Sequence, residues 1–314
     1  RTDLAGGTLP EDWREVLYVL LAKPGSNPDI VDQNREIALM AQDMKLLMRV
    51  MRDTAFRRLT GRVVHEQGGW LEGFGHLDPA LAMQLTIQQA RRLRRRLYIL
   101  YVDFATFFPR LDRRVCAVSE LMHGLPAELV ALTLQIFGAR NGEWPDGFTP
   151  PPPCRCRYNS EGGMSEAFEN WMGAMMGCVL SPDRAKLVLD SLLRAIRVHV
   201  RGFRLWGMEE ATDDEYWAFI RSLAFADDLA CTFDSVADLR RAWALIVTWT
   251  ELAGCKLGHK PLKVERLGGK EVLTGNKTVV TGVWYDAKGQ PHPVEDPKLT
   301  DGRGKRVAFL PHDG

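Results

Sequence analysis

LAFADDLACTF, residues 223–233, decides how this chain is read. Two adjacent aspartates, Asp227 and Asp228, interrupt a run that is otherwise apolar. A side chain charged at neutral pH is costly to bury unless something compensates it. SLAFA and LACTF flank the pair as short strands flank a two-residue turn, so the spacing predicts a hairpin with Asp227 and Asp228 at its tip. Asp is an acceptable turn residue, and an isolated pair would need no more explanation than that. This pair is not isolated. LYILYVDF, residues 97–104, is a second apolar run, rich in aromatic and branched residues, and it carries Asp103 at its end. It reads as a central strand. Three carboxylates at one place repel one another, and hard divalent cations relieve that repulsion through oxygen ligands. Two such ions about 3.5–4 Å apart form the clamp used in phosphoryl transfer. Spacing alone does not make the two strands neighbours.

Working outward, SPDRAKLVLDSLLRAIRVHV has the signs of a helix start in Ser181, Pro182 and Asp183. Its apolar stripe is Ala185, Val188, Leu189, Leu192, Ile196 and Val200. Ser235 to Asp238 form a capping box for another helix, closed by Gly254. DRRVCAVSELMHG and PAELVALTLQIFGAR predict two helices after the central strand, and ALAMQLTIQQARRLRRR predicts one before it. Residues 10–65 read as helical, interrupted by the loop LAKPGSNPD, with Leu39, Met44, Leu47, Met48 and Met51 at helical spacing. WPDGFTPPPPC is too rich in proline for regular structure. VVTGVWYDAKGQPHPV reads as a hairpin. Helices come first, then strands and helices in irregular alternation, which favours an α+β domain with an antiparallel sheet.

The 314 residues carry a formal net charge of +1 and are 46% hydrophobic, enough for a full core in one large or two closely packed domains. Near-neutral charge gives no compositional case for a nucleic-acid partner. Arginines are clustered nonetheless, at 91, 92, 94, 95 and 96, at 57, 58 and 62, and at 110, 113 and 114. Such runs serve equally as phosphate contacts or as solvated faces. The six cysteines form no C-x-x-C pair and read as reduced thiols of an intracellular protein. Cys154 and Cys156 lack the second pair that a zinc site needs. No apolar run is long enough to span a bilayer, and no signal peptide is visible. The chain begins at an arginine and reads as a piece of something longer, a polyprotein with other domains.

VDFATFF, MGCVLSP, FADD and GCKLG occur in the order of the palm motifs of a reverse transcriptase. LLAKPG followed by NREIAL resembles a fingers motif, and QGGWLEGFG resembles the "Q.GF" motif between fingers and palm. The sequence resembles the reverse transcriptases of non-LTR (LINE-type) retrotransposons and their group II intron relatives, over residues 10 to 265. The resemblance implies a right-hand polymerase fold with fingers and palm: a fingers-like region at 1–96, a palm at 97–265, and at 266–314 a hairpin and the start of a connection to a thumb that is missing. It implies an RNA-directed DNA polymerase acting on an RNA template, a DNA primer and dNTPs, in the nucleus and/or cytoplasm and with no membrane partner. Carried over by position, Asp103 and Asp227 become the principal ligands of two Mg²⁺ ions, with Mn²⁺ able to substitute, and Asp228 the adjacent acid. Phe108 becomes the steric gate against a ribose 2′-hydroxyl, with a core phenylalanine as the plainer alternative. Gly177 becomes the turn that lets template and incoming base approach the backbone. Lys23 and Arg35 match positions on the triphosphate. Lys263 is the preferred lysine for the pyrophosphate, with Lys260 and Lys277 as rivals.

Four departures stand out. Met176 replaces the glutamine before the motif glycine, Glu36 replaces a proline, Pro109-Arg110 replaces the usual residues after the gate, and VAFLPHDG ends about where the thumb is expected to begin. A decayed domain that binds RNA or a protein without catalysis is the alternative that Met176 and the missing thumb favour, and the three intact acids count against it. An RNA-templated RNA polymerase or a telomerase-like enzyme is the third reading; FADD together with Phe108 points away from the RNA polymerase.

Overall fold

The computed structural model describes residues 9–23, 34–69, 73–138, 151–160, 162–205, 219–258, 263–267, 270–274 and 278–311. In chain order these form β1 (Glu15–Ala22), β2 (Asn34–Leu39), α1 (Gln42–Met51), α2 (Leu77–Leu93) and β3 (Leu97–Val102). Then come α3 (Arg113–Met122), α4 (Ala127–Phe137), β4 (Cys154–Ser160), β5 (Gly163–Met164), β6 (Phe168–Asn170) and α5 (Ser181–His199). The remainder is β7 (Phe203–Arg204), β8 (Phe219–Ile220), β9 (Ser222–Phe225), β10 (Asp228–Phe233), α6 (Val236–Leu252), β11 (Lys263–Leu267), β12 (Lys270–Thr274), β13 (Val279–Tyr285), β14 (Pro291–Pro293) and β15 (Ala308–Pro311). No helix among the described residues is long and apolar enough to cross a membrane. Two compact units interleave along the chain: Arg1–Arg62 with Phe108–Val188, and Val63–Phe107 with Leu189–Gly314.

In the first unit the sheet order is β2-β1-β4-β5, with β6 on β4. Residues 15–22 are a strand where the sequence pattern suggested helix. EVLYVLLA begins with β-branched and aromatic residues in alternation, and Val16 and Tyr18 are buried on one face. The helical reading holds from α1 onward, where Met44, Met48 and Met51 are buried. α3 and α4 fall where the periodicity puts them. Arg113, grouped above with the basic runs, is buried at 1% exposure and donates to the carbonyls of Phe137, Asn170, Met172 and Gly173. It ties α3 to a loop and is not available to phosphate. Arg114 is spent on Asp112, the N-cap of α3. Cys154 and Cys156 are buried, and burial pushes their thiols up to about 11 and about 12. They stay protonated at neutral pH. Of the proline-rich loop, 141–150 lie outside the described residues and 151–153 have no regular structure.

The second unit is built on the sheet β14-β13-β3-β10-β9, with β15 alongside β13. β3 is central, antiparallel to both β10 and β13. Leu97 and Ile99 on one of its faces join Met83 and Ala90 of α2 with Phe203, Val283 and Tyr285 in a buried cluster. Tyr98, Leu100 and Val102, on the opposite face, are buried as well. A strand buried on both sides reads as a continuous apolar run, which is how LYILYV reads. α6 is capped as its sequence indicates: the Ser235 side chain accepts from the Asp238 N–H, and Gly254 takes φ +74°. The stripe of α5 is buried along its length. The antiparallel sheet packed on helices is the α+β palm architecture expected from the motifs.

Candidate active site

The second unit brings the acids together through the register of β3 and β10. Leu229 pairs with Val102 and Ala230 with Tyr101. One step further along the same register sets Asp228 opposite Asp103. Both line a pocket of 590 Å³, with Tyr101, Leu223 and Phe225 on its floor and His76, Pro79, Ala80 and Met83 beside them. Pro79, Ala80 and Met83 lie in the first turns of α2, which His76 precedes, and Met83 also belongs to the buried cluster around Leu97 and Ile99.

The hairpin is shifted by one residue from the sequence reading. Asp228 pairs with Phe225, so the two turn residues are Ala226 and Asp227, and Asp228 opens β10. Ala226 has φ +60°, a left-handed backbone that a residue with a Cβ rarely adopts. Asp227 is half-buried, and Asp228 is exposed. Burial first, and the neighbouring Asp228 charge second, raise the Asp227 carboxyl above its ordinary range. Asp227 does not line the pocket that holds Asp103 and Asp228.

Asp103 is held by its backbone. Gly258 N–H donates to its carbonyl at 2.7 Å, and Thr278 Oγ1, fully buried, lies 3.3 Å from both its N and its O. Ala105 N–H donates to the Lys256 carbonyl at 2.7 Å, and Phe104 bridges Leu257. The GCKLG motif is thereby laid along residues 103–105. Phe104 packs on Phe107 and Trp249, with ring centroids 5.4 and 5.6 Å away. Phe104 and Phe107 are core residues. Phe108, which begins the other unit's second segment, is half-exposed, unlike its two neighbours in the core.

In the first unit, Gly177 has φ +93°, and an added Cβ would meet the Ala38 carbonyl at 2.8 Å. Met176 accepts from the Ala38 N–H at 2.7 Å and lines a second cavity, of 330 Å³, with Glu36, Tyr18 and Tyr158. Glu36 accepts from the Tyr158 hydroxyl at 3.0 Å. Lys23 follows β1 and is half-buried; Arg35, on β2, is exposed and pairs with Leu21. Lys263 opens β11 opposite Thr274. Lys260 and Lys277 lie outside the described residues.

Among the described residues no three His, Cys, Asp or Glu side chains stand close enough to hold a metal ion by themselves. The donor set still fits a hard cation. Mg²⁺ is commonly bound by one or two carboxylates together with substrate phosphates, not by an all-protein cage. Asp103 and Asp228 on one pocket wall supply two, and Asp227 is the next residue.

The raised Asp227 has a consequence for stability. Its folded-state affinity for a proton exceeds that of the unfolded chain, so protonation favours the fold. That advantage is present at low pH and lost as pH rises through the raised value. Asp227→Asn, which cannot ionise, is therefore expected to stabilise the chain at neutral pH, by about 1 kcal/mol. The gain should shrink as pH falls toward the ordinary carboxylate range. Urea titrations of both proteins across that range check it, and a gain independent of pH would contradict it.

No family model matches the chain. Among solved structures it is similar to apo telomerase from Candida tropicalis truncated from its C-terminal domain, with TM-score 0.51, 10% identity, and 93% of this chain and 58% of that chain covered. It is also similar to telomerase from Candida tropicalis in complex with a TWJ fragment of telomeric RNA, with TM-score 0.47, 11% identity, and 87% and 46% of the two chains covered. The chain thus spans about half the length of these telomerase chains. At such identities a likeness shows the fold alone. Over 93% of its length the chain shares the fold of the truncated telomerase.

Proposed function

We propose that this chain is an RNA-directed DNA polymerase domain, fingers and palm, of a non-LTR retrotransposon element. The observation that carries this reading is the register that sets Asp228 opposite Asp103 on the wall of one open pocket, with Asp227 in the adjoining turn. Bound divalent cations would lower the pKa of the primer 3′-hydroxyl and stabilise the departing pyrophosphate. Asp103 and Asp228, with Asp227 beside them, would hold those ions by charge. The segment 254–258 fixes the backbone of Asp103, so its carboxylate is presented from a rigid strand end. Lys23 and Arg35 lie toward one end of the β1–β2 hairpin, where cationic side chains suit a triphosphate. Template and primer would be held through phosphates and shape, because a polymerase must accept every sequence.

The test is dNTP incorporation on a primed RNA template with and without Mg²⁺. Incorporation that needs the cation supports the proposal; none under any divalent cation overturns it. RNA binding without incorporation would favour the decayed-domain reading, to which Met176 in place of the motif glutamine lends some support.

Phe108 offers a second check. A half-exposed ring at this position would exclude a 2′-hydroxyl by clash, so Phe108→Val is expected to raise ribonucleotide incorporation relative to dNTPs by about 10-fold or more. Unchanged discrimination in an active enzyme would return Phe108 to the role of a packing residue.

A further inference from the structure

We infer that Gln67 is a positioning residue that holds the Asp227–Asp228 hairpin in its working geometry, an assignment that rests on the polymerase reading above. Gln67 is fully buried, and its amide grips Ala226 from both ends. Nε2 donates to the Ala226 carbonyl at 3.1 Å, and the Ala226 N–H donates to Oε1 at 3.1 Å. The Gly69 N–H donates to the same oxygen at 2.8 Å. Backbone bonds on either side, Gly68 N–H to Ala224 O and Ala224 N–H to Glu66 O, both 2.8 Å, lay residues 66–68 along β9.

The backbone at Ala226 explains why a clasp is needed. A non-glycine residue in the left-handed region costs about 1–3 kcal/mol and persists only where its surroundings over-determine it. Glycine or asparagine at 226 would take that conformation readily, as hairpin turns usually do. Here the turn keeps a Cβ, and its geometry is imposed from outside by one amide that serves a donor and an acceptor together. Gly69 belongs to the same device, because a Cβ there would lie 2.1 Å from the Ala226 nitrogen. The residue after Ala226 is Asp227 and the next is Asp228, so rotation at 226 re-aims both carboxylates.

Two variants separate positioning from packing. Gln67→Met removes all three side-chain bonds at similar volume. Gln67→Glu keeps the acceptor and regains the donor only when its carboxyl is protonated, and burial raises the pKa at which that happens. With the chain in steady-state incorporation on primed RNA, Q67M is expected to lower kcat about 100-fold with KM for dNTP little changed. The activity of Q67E relative to wild type is expected to rise as pH is lowered from about 8 to about 6, a profile that loss of packing would not produce. Hydrogen exchange at the Ala226 amide is expected to quicken in Q67M.

An active wild type with Q67M at equal kcat overturns the assignment alone, as does a Q67E ratio flat with pH. If Q67M does not fold, the Q67E profile decides by itself. A wild type that incorporates nothing overturns the polymerase reading and this assignment with it.

Discussion

Asp103→Asn and Asp228→Asn are each expected to lower Mg²⁺-dependent incorporation by at least about 10³-fold, and Asp228→Asn to leave thermal unfolding nearly unchanged. Asparagine keeps the size and one oxygen of aspartate but not its charge, and a hard cation depends on that charge. Asp103 keeps its main-chain anchors, Gly258 and Thr278, in the variant, and Asp228 is exposed at the start of β10. Asp227→Asn should combine lost incorporation with gained stability, as expected of a carboxylate kept for chemistry at structural cost. An Asp103→Asn protein within tenfold of wild type would remove the catalytic role of this pocket.

The second large effect is on stability and lies in the other unit. Glu120 and Arg184 are both fully buried and meet at 2.5 Å. Glu120 also accepts from the Thr133 hydroxyl at 2.8 Å, and the Arg184 guanidinium lies 4.3 Å over the Phe137 ring. Burial works against the Arg184 charge, but Glu120 outweighs it and holds the group above its ordinary range. Removing one partner strands the other charge without water, so Glu120→Ala or Arg184→Met is expected to cost about 3–5 kcal/mol. Replacing both with apolar residues of similar volume should cost much less, because no charge is left behind. Denaturant unfolding of the two single variants and the double variant checks this; additive losses would contradict the pairing.

What could be read in the sequence was what depends on neighbours along the chain. The cap of α6, the two-sided apolar run of β3 and the buried stripe of α5 are local signals, and each appears in the structure. The β1 segment was misread because VLYVLL satisfies helical and strand patterns alike, and only pairing with β2 and β4 decides between them. The hairpin register slipped by one because nothing local says that Ala226, not Asp228, takes the turn. Gln67 sits in a motif noticed for its glycines, but its partner lies 159 residues away, and no spacing rule connects them. Arg113 looked like a surface cation; the carbonyls it donates to come from the end of α4 and from residues 170–173, neither adjacent to it in sequence.

The position of β13 has a bearing on how the protein is made. β3, which carries Asp103 at its end, is paired along one edge by residues 279–283, some 180 positions downstream. Until that segment leaves the ribosome, the Leu97–Tyr101 backbone has an open edge able to recruit strands of other chains. Contacts of such sequence separation form slowly. Nascent chains halted before residue 279 should therefore be aggregation-prone, although all three aspartates have already been synthesised.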